Sequence, residues 1–218
     1  NSMKNREPLI QIFCKAPVLG KVKTRLIKEM GARRALDLYK QMFERLMADF
    51  SLNSRLAELW ISPDKNHVFF EQYGLPRFQQ SGLDLGAKMS EALRDGLSRH
   101  ESVILIGSDL PLINKSYIDR AVSSLRDHEV VLGPAEDGGY GLVGVKAETP
   151  DMFSDINWGT EKVLSQTCDK LNKGGLSYSL LPLIWDVDRP SDLPRYNAWL
   201  EGYWLDKASL DQVLTDQS

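Results

Sequence analysis

A chain of 218 residues, 42% hydrophobic and 26% charged, with a formal net charge of −3, is ordinary for a soluble globular protein. Its length fits one domain, taken as residues 3–218; no apolar run is long enough to span a bilayer, and the charge balance gives no reason to expect nucleic-acid binding. Two cysteines, Cys14 and Cys168, form no CxxC and have no histidine cluster beside them, which argues against zinc and against a disulfide scaffold. Asn1 and Ser2 precede Met3 and read as a cloning remnant; without a signal-peptide plan after them, a cytoplasmic location is expected.

Pro8 to Ala16 (PLIQIFCKA) reads as a buried first strand, closed by Pro17 and a glycine-bearing loop. From Ala32 to Phe50, the apolar residues Ala35, Tyr39, Met42, Phe43, Leu46, Met47 and Phe50 recur at three- and four-residue steps and predict an amphipathic helix. Arg55 to Ser62 is a second strand, and Leu85, Met89, Leu93 and Leu97 carry a second helix. Ser102 to Asp109 (SVILIGSD) is apolar on both faces in its middle, as expected of a central parallel strand covered by helices. Helices at about 115–127, 160–172 and 191–204 and strands near 129–133, 140–146 and 176–185 complete an α/β alternation with a mainly parallel sheet. Too few residues separate Val130-Leu132 from Tyr140 for a helical crossover, so part of the sheet is expected to be mixed.

Ligands of open α/β sheets bind beyond the carboxyl ends of the strands, which directs attention to four loops. After strand one, KAPVLGKVKTRL sets Lys15, Lys21, Lys23 and Arg25 around Gly20 and the Thr24 hydroxyl. A glycine lets backbone N–H groups approach a phosphate, and lysine and arginine supply charge and forked hydrogen bonds. The segment lacks the GxxxxGK[ST] spacing of a P-loop, and a solvated basic turn is the alternative. After the central strand, Asp109 can hold Mg²⁺ or Mn²⁺, or merely cap the turn at Pro111. In GPAEDGGYGLVGV, Glu136 and Asp137 precede Gly138 and Gly139, which allow close passage against a ligand beside Tyr140 and equally suit a hairpin turn. In IWDVDRPSDL, Asp186 and Asp188 alternate on an extended chain, could complete a metal site with Asp109, and are followed by Pro190 and Asp192, which fit a helix start. Asp186-x-Asp188 superficially resembles a haloacid-dehalogenase nucleophile motif, discounted because it lies late in the chain and runs into Arg189-Pro190. His67, His100 and His128 are scattered and no GxSxG elbow occurs, which argues against nucleophilic triads.

Taken in order, KAPVLGKVKTRL, QQSGLDLGAKM (79–89), IGSDLPLI (106–113), GPAEDGGYGLVGV, INWGTEKVLSQT (156–167) and DVDRPSDL resemble the glycosyltransferase-A-like family of a domain of unknown function (DUF2064-type). That family is related to the nucleotidyltransferases that make molybdenum-cofactor dinucleotides and guanylylated phospholactate. The resemblance implies a Rossmann-like nucleotide-diphosphosugar transferase fold of glycosyltransferase-A type, with a mostly parallel mixed sheet between helices. It also implies a nucleotide or nucleotide-sugar donor, an acceptor of unspecified identity, and Mg²⁺ or Mn²⁺. It places Lys15, Gly20, Lys21, Lys23, Thr24, Arg25 and Gly86 at the nucleotide and its phosphates, and Asp109 at the metal, where glycosyltransferases of this fold carry Asp-x-Asp. It places Asp137 with Asp109 in catalysis, Gly138, Gly139, Tyr140 and Trp158 on the acceptor or sugar side, and Asp186 or Asp188 as a second metal ligand. Gly141 stands where relatives have a second aromatic, Gly159-Thr160 where they have Ser-Thr, and Arg189 where a capping Thr is usual.

The expected function is a metal-dependent transferase using a nucleotide-activated donor, with glycosyl transfer from a nucleotide sugar slightly ahead of nucleotidyl transfer from a nucleoside triphosphate. Both rest on positioning and electrostatics and need the same parts. A non-catalytic nucleotide-binding module would need the basic loop but not the carboxylates, and a phosphatase would need Asp186 as nucleophile.

Overall fold

The structure is a computed structural model that describes residues 3–49, 55–149 and 151–203; Phe50 and Trp204, the expected ends of two helices, lie outside the described residues. Its strands are β1 (Leu9–Lys15), β2 (Leu56–Ser62), β3 (Arg77–Gln79), β4 (Val103–Ile106), β5 (Val130–Pro134), β6 (Tyr140–Val145) and β7 (Tyr178–Leu180). They form one sheet in the order β3-β2-β1-β4-β6-β5-β7. The helices are α1 (Ile27–Asp49), α2 (Leu85–Arg99), α3 (Lys115–Asp127) and α4 (Val163–Lys173), with residues 193–203 also helical as α5.

The two-residue period of the strands sorts their side chains onto two covered faces. Ile10, Ile12, Leu59, Ile61, Ile104 and Ile106 pack with Phe43 of α1 and Ile118 and Ala121 of α3, whereas Leu9, Trp60, Val103 and Leu105 pack with Met89 and Leu93 of α2 and Leu171 of α4. All four residues of β4 are buried, and each such aliphatic side chain contributes about 1.5–3 kcal/mol. That accounts for the continuous apolar run in the sequence.

Strand β1 pairs in parallel with β2 on one side and β4 on the other. The chain leaves β1 towards β2 and leaves β4 towards β5 on the opposite side, so the β1/β4 boundary is a topological switch point, where a crevice opens beyond the carboxyl ends. Strand β6 runs antiparallel to both β4 and β5, as its short connection requires.

Some boundaries differ from the sequence reading. Helix α1 is broken at Gly31 (φ 82°), so its regular part starts where the apolar period starts, at Ala32. The last strand is Tyr178–Leu180 rather than 176–185: Pro182 has no N–H for the ladder, and the chain rejoins β5 only at the Ala135–Ile184 bridge. Helix α4 begins at Val163, not 160, because Gln166 and Thr160 hold the preceding turn through Asn157. Strand β3 and the 3₁₀ segment Val68–Tyr73, absent from the sequence reading, cover the β2 side.

Candidate functional site

The carboxyl end of β1 is fixed by a helix side chain. The Tyr39 hydroxyl of α1 accepts from the Lys15 N–H at 2.7 Å and donates to the Lys15 carbonyl at 2.6 Å. Burial, followed by the nearby Cys14 and Asp109, pushes its ionisation well above the ordinary tyrosine range. Beyond this clamp the chain turns through Gly20 (φ 78°) and reaches Lys23, which adopts a left-handed backbone (φ 51°, ψ 40°) at a cost of roughly 1–2 kcal/mol. A 3₁₀ turn, Thr24–Leu26, follows and buries Leu26 completely.

The basic loop does not point uniformly into solvent. Lys15 and Lys21 are exposed and form no ion pair among the described residues. The Lys23 side chain is only 2% exposed; its Nζ donates to the Val187 carbonyl and lies 2.9 Å from Asp109 Oδ1. Arg25 Nη1 lies 2.5 Å from Asp188 Oδ2. Two predicted phosphate-binding cations thus pair with two predicted metal carboxylates. The pairs bridge the loop after β1, the loop after β4 and the segment before α5, at the switch point.

Asp109 stands two residues beyond Gly107, and its carbonyl accepts from the Val187 N–H at 3.1 Å, which brings residues 186–188 alongside. Among the described residues its buried Oδ1 receives no hydrogen bond, with Lys23 Nζ 2.9 Å away, while the carboxylate as a whole is 48% exposed. Asp186 is half-buried, and burial first, then the charges of Asp137, Asp188 and Asp192, raise its pKa to about 6. Asp192 is tied to structure: its Oδ2 accepts from the Asp188 and Arg189 N–H groups and opens the turn into α5, supplying the cap that Arg189 cannot.

Among the described residues, no three carboxylate, imidazole or thiolate side chains are gathered into a ready metal site. The chemistry nonetheless fits a hard divalent cation: Mg²⁺ commonly takes one or two carboxylates and completes its shell with phosphates and water, and the Asp109 carboxylate remains 48% exposed at the switch point.

The glycine-rich stretch is a closed hairpin. Asp137 Oδ1 accepts from Gly139 N–H, Ala135 N–H donates to Gly139, and Gly138 (φ 90°) lies so close to the 157–162 loop that a Cβ there would come within 2.3 Å of the Glu161 carbonyl oxygen. Tyr140 turns inward, its hydroxyl 3.2 Å from Thr167 Oγ1 on α4, and burial raises its pKa. Gly86, at the start of α2, lies beneath Trp158: a Cβ would sit 2.8 Å from the indole, so these two predicted positions form one contact. The basic and acidic loops meet at β1/β4, Gly86 with Trp158 and Tyr140 with α4 lie on the α2/α4 face, and Asp137 is linked to the acidic group through the charge of Asp186.

The sequence reading missed the clamp on Lys15, because Tyr39 occupies an apolar helix position and only its hydroxyl, on an otherwise nonpolar stripe, signalled a polar duty. It also missed the bidentate Arg195–Glu136 pair, at 2.7 and 3.1 Å, which ties α5 to the hairpin. A separate cleft of about 510 Å³ lies between the start of α3 and α5; Pro111, Asn114, Lys115, Ser116, Trp199 and Tyr203 line it, and none of the predicted site residues does. No described helix is long and apolar enough to cross a membrane.

Residues 50–160 match a family described as an uncharacterized protein conserved in bacteria (DUF2064). A 3-phospho-D-glycerate guanylyltransferase of Phenylobacterium zucineum (strain HLK1) is 32% identical over 120 residues, 49% of this chain and 51% of that protein, so the chain spans about half the length of this curated relative. A provisionally named nucleotide-diphospho-sugar transferase from Desulfovibrio desulfuricans G20 shares 31% identity with a TM-score of 0.79, covering 84% of this chain and 83% of that one. Glucosyl-3-phosphoglycerate synthase from Mycobacterium tuberculosis, in complex with Mn²⁺, UDP and glucosyl-3-phosphoglycerate, covers 85% of this chain and 74% of its own at 13% identity and a TM-score of 0.51, a likeness of fold alone. The fold is that of the nucleotide-diphosphosugar transferases, and the chain is related to transferases that use nucleotides.

Proposed function

The chain belongs to the DUF2064 family of uncharacterized bacterial proteins, and on that premise we propose that it is a metal-dependent nucleotidyltransferase acting on a nucleoside triphosphate and a phosphorylated small acid. The observation that carries this reading is the meeting of Lys23 with Asp109 and of Arg25 with Asp188 at the β1/β4 switch point, where an open α/β sheet places its nucleotide. An acceptor oxygen attacks the α-phosphorus, and pyrophosphate leaves with the bonding electron pair. Lys15 and Lys21, both exposed, face the leaving phosphates, and Lys23, fixed by Val187, adds positive charge behind Asp109. Asp109, with Asp186 or Asp188, would hold Mg²⁺ or Mn²⁺, which neutralises phosphate oxygens when bound. Asp137 serves the acceptor side. Support for nucleotidyl over glycosyl transfer comes from the guanylyltransferase relative and from Gly107-Ser108-Asp109-Leu110-Pro111, which carries a single carboxylate where a glycosyltransferase of this fold would carry Asp-x-Asp. The likeness to a nucleotide-diphospho-sugar transferase over most of the chain supports glycosyl transfer as the second reading.

The two are separated by their products. Wild type and Asp109→Ala are incubated with Mg²⁺ or Mn²⁺, each nucleoside triphosphate, and 3-phosphoglycerate or related phosphorylated acids, and pyrophosphate is measured. Nucleotide sugars are assayed in parallel for nucleoside diphosphate. Metal-dependent pyrophosphate that disappears in Asp109→Ala is the expected result. Nucleoside diphosphate release transfers the assignment to glycosyl transfer; nucleotide binding without metal or Asp109, and without turnover, leaves a binding module.

A further inference from the structure

The charges of this site neutralise one another. Arg25 holds Asp188, and Lys23 sits against Asp109, so the groups expected to meet phosphate already occupy the groups expected to meet metal. The two cations are held differently. Lys23 is buried, its Nζ donating to the Val187 carbonyl and lying 2.9 Å from Asp109 Oδ1, so it is fixed in place. Arg25 is 60% exposed on a long side chain, and Asp188 is 38% exposed, so their pair can open. We propose that the Arg25–Asp188 pair is an exchangeable gate that couples divalent cation to phosphate binding: Arg25 passes from Asp188 to the phosphate as Asp188 passes from Arg25 to the metal. The proposal rests on the metal-and-nucleotide reading above and assigns Arg25 as a positioning residue for the metal carboxylate.

The coupling follows from counting partners. A metal arriving alone must take Asp188 from Arg25 and strand a guanidinium. Phosphate arriving alone must take Arg25 and leave Asp188 uncompensated beside Asp186 and Asp192. When both arrive, every charge that loses a partner gains another. Linkage requires the same factor in both directions, and an exposed ion pair limits it to about two- to fivefold.

The test uses probes that need no knowledge of the base and reads binding rather than turnover. Mn²⁺ alone is titrated by electron paramagnetic resonance, and pyrophosphate in EDTA by calorimetry, with wild type, Arg25→Gln, Asp188→Asn and Lys21→Gln, each shown to be folded by circular dichroism. Arg25→Gln is expected to tighten Mn²⁺ alone two- to fivefold by freeing Asp188, and Asp188→Asn to tighten metal-free pyrophosphate by a similar factor by freeing Arg25. Lys21→Gln, which removes a cation of the same loop that has no ion pair among the described residues, measures the general charge effect and is expected to change Mn²⁺ binding less than Arg25→Gln. If Arg25→Gln binds Mn²⁺ no better than wild type, or Lys21→Gln does as well, the gate is overturned while the metal-and-nucleotide reading stands. If neither probe binds any of the four proteins, that reading fails and the gate with it. Should Arg25→Gln not fold, the Asp188→Asn arm decides: unchanged or weaker pyrophosphate binding overturns the gate.

Discussion

Gly138→Ala tests the contact that places the hairpin against the 157–162 loop. The new methyl would lie 2.3 Å from the Glu161 carbonyl oxygen and 2.5 Å from its Cα, and these are backbone atoms that cannot rotate away. The same residue has φ 90° and accepts from the Leu164 N–H at 2.9 Å, so displacing it also costs a hydrogen bond at the start of α4. The left-handed backbone contributes about 1–2 kcal/mol of destabilisation for an L-residue and the overpacking about 1–3 kcal/mol. Together they predict a loss of about 2–5 kcal/mol, or roughly 4–20 °C in Tm for a chain of this size. Gly20→Ala supplies the reference, since Gly20 also has positive φ (78°) but nothing within 4 Å of a Cβ; it is expected to lose only the backbone part, roughly 2–8 °C. Differential scanning calorimetry of the three proteins, with urea titration for the free energies, measures both. If Gly138→Ala melts within a degree of Gly20→Ala, the hairpin does not press on the Glu161 backbone and the reasoning fails.

Two further outcomes are expected. Burial and the neighbouring Asp137, Asp188 and Asp192 raise Asp186 from its ordinary 3.8 to about 6, so the folded protein holds this proton more tightly than the unfolded chain. Ionised Asp186 therefore costs stability above about pH 6, and the cost fades as pH falls through 6 towards 4. Asp186→Asn should raise Tm at pH 8 and gain progressively less on acidification; an equal gain at pH 8 and pH 4.5 would contradict the assigned environment. Away from the site, Glu58 is 2% exposed and accepts from Gln11, Trp60 and Arg99. Glu58→Ala leaves these donors without their acceptor and should cost about 3 kcal/mol in urea unfolding, with Glu58→Gln, which keeps an acceptor oxygen, losing less than half of that; a loss below about 1 kcal/mol for Ala would mean that the network is hydrated.

The legible parts of the fold were those in which one physical rule dominates. Ile104 to Ile106 announced a strand covered on both faces because nothing else requires an unbroken apolar run of that length, and the short gap before Tyr140 excluded a helical crossover whatever the tertiary structure. Strand β3 was not legible: three residues show no period, and Arg77–Gln79 becomes a strand only because Leu59–Ile61 of β2 offers an edge. The candidate loops do follow strands, as the sequence indicated, but the environments of individual side chains were not legible. Composition gives a lysine in a basic loop to solvent, and Lys23 is buried because Val187 and Asp109, distant in sequence, supply its partners. The partner of the Tyr140 hydroxyl, Thr167, stands 27 residues on and was not legible either.

The path of residues 181–188 also bears on how the chain can be divided. After β7 this segment crosses the carboxyl ends of the sheet and is stitched in turn to β5 by Leu181, to the hairpin at Ile184, to Asp109 through the Val187 amide and to Lys23 through the Val187 carbonyl. It works as a drawstring, closing on loops that issue from three different strands. The region that carries the family match, residues 50–160, holds Asp109 and the hairpin but neither the central strand β1 with its cations nor the drawstring that gathers them. A fragment cut to those limits would keep the acidic residues of two loops and lose the geometry that opposes them to positive charge. The loops that this segment gathers thus extend beyond the residues that match the family model.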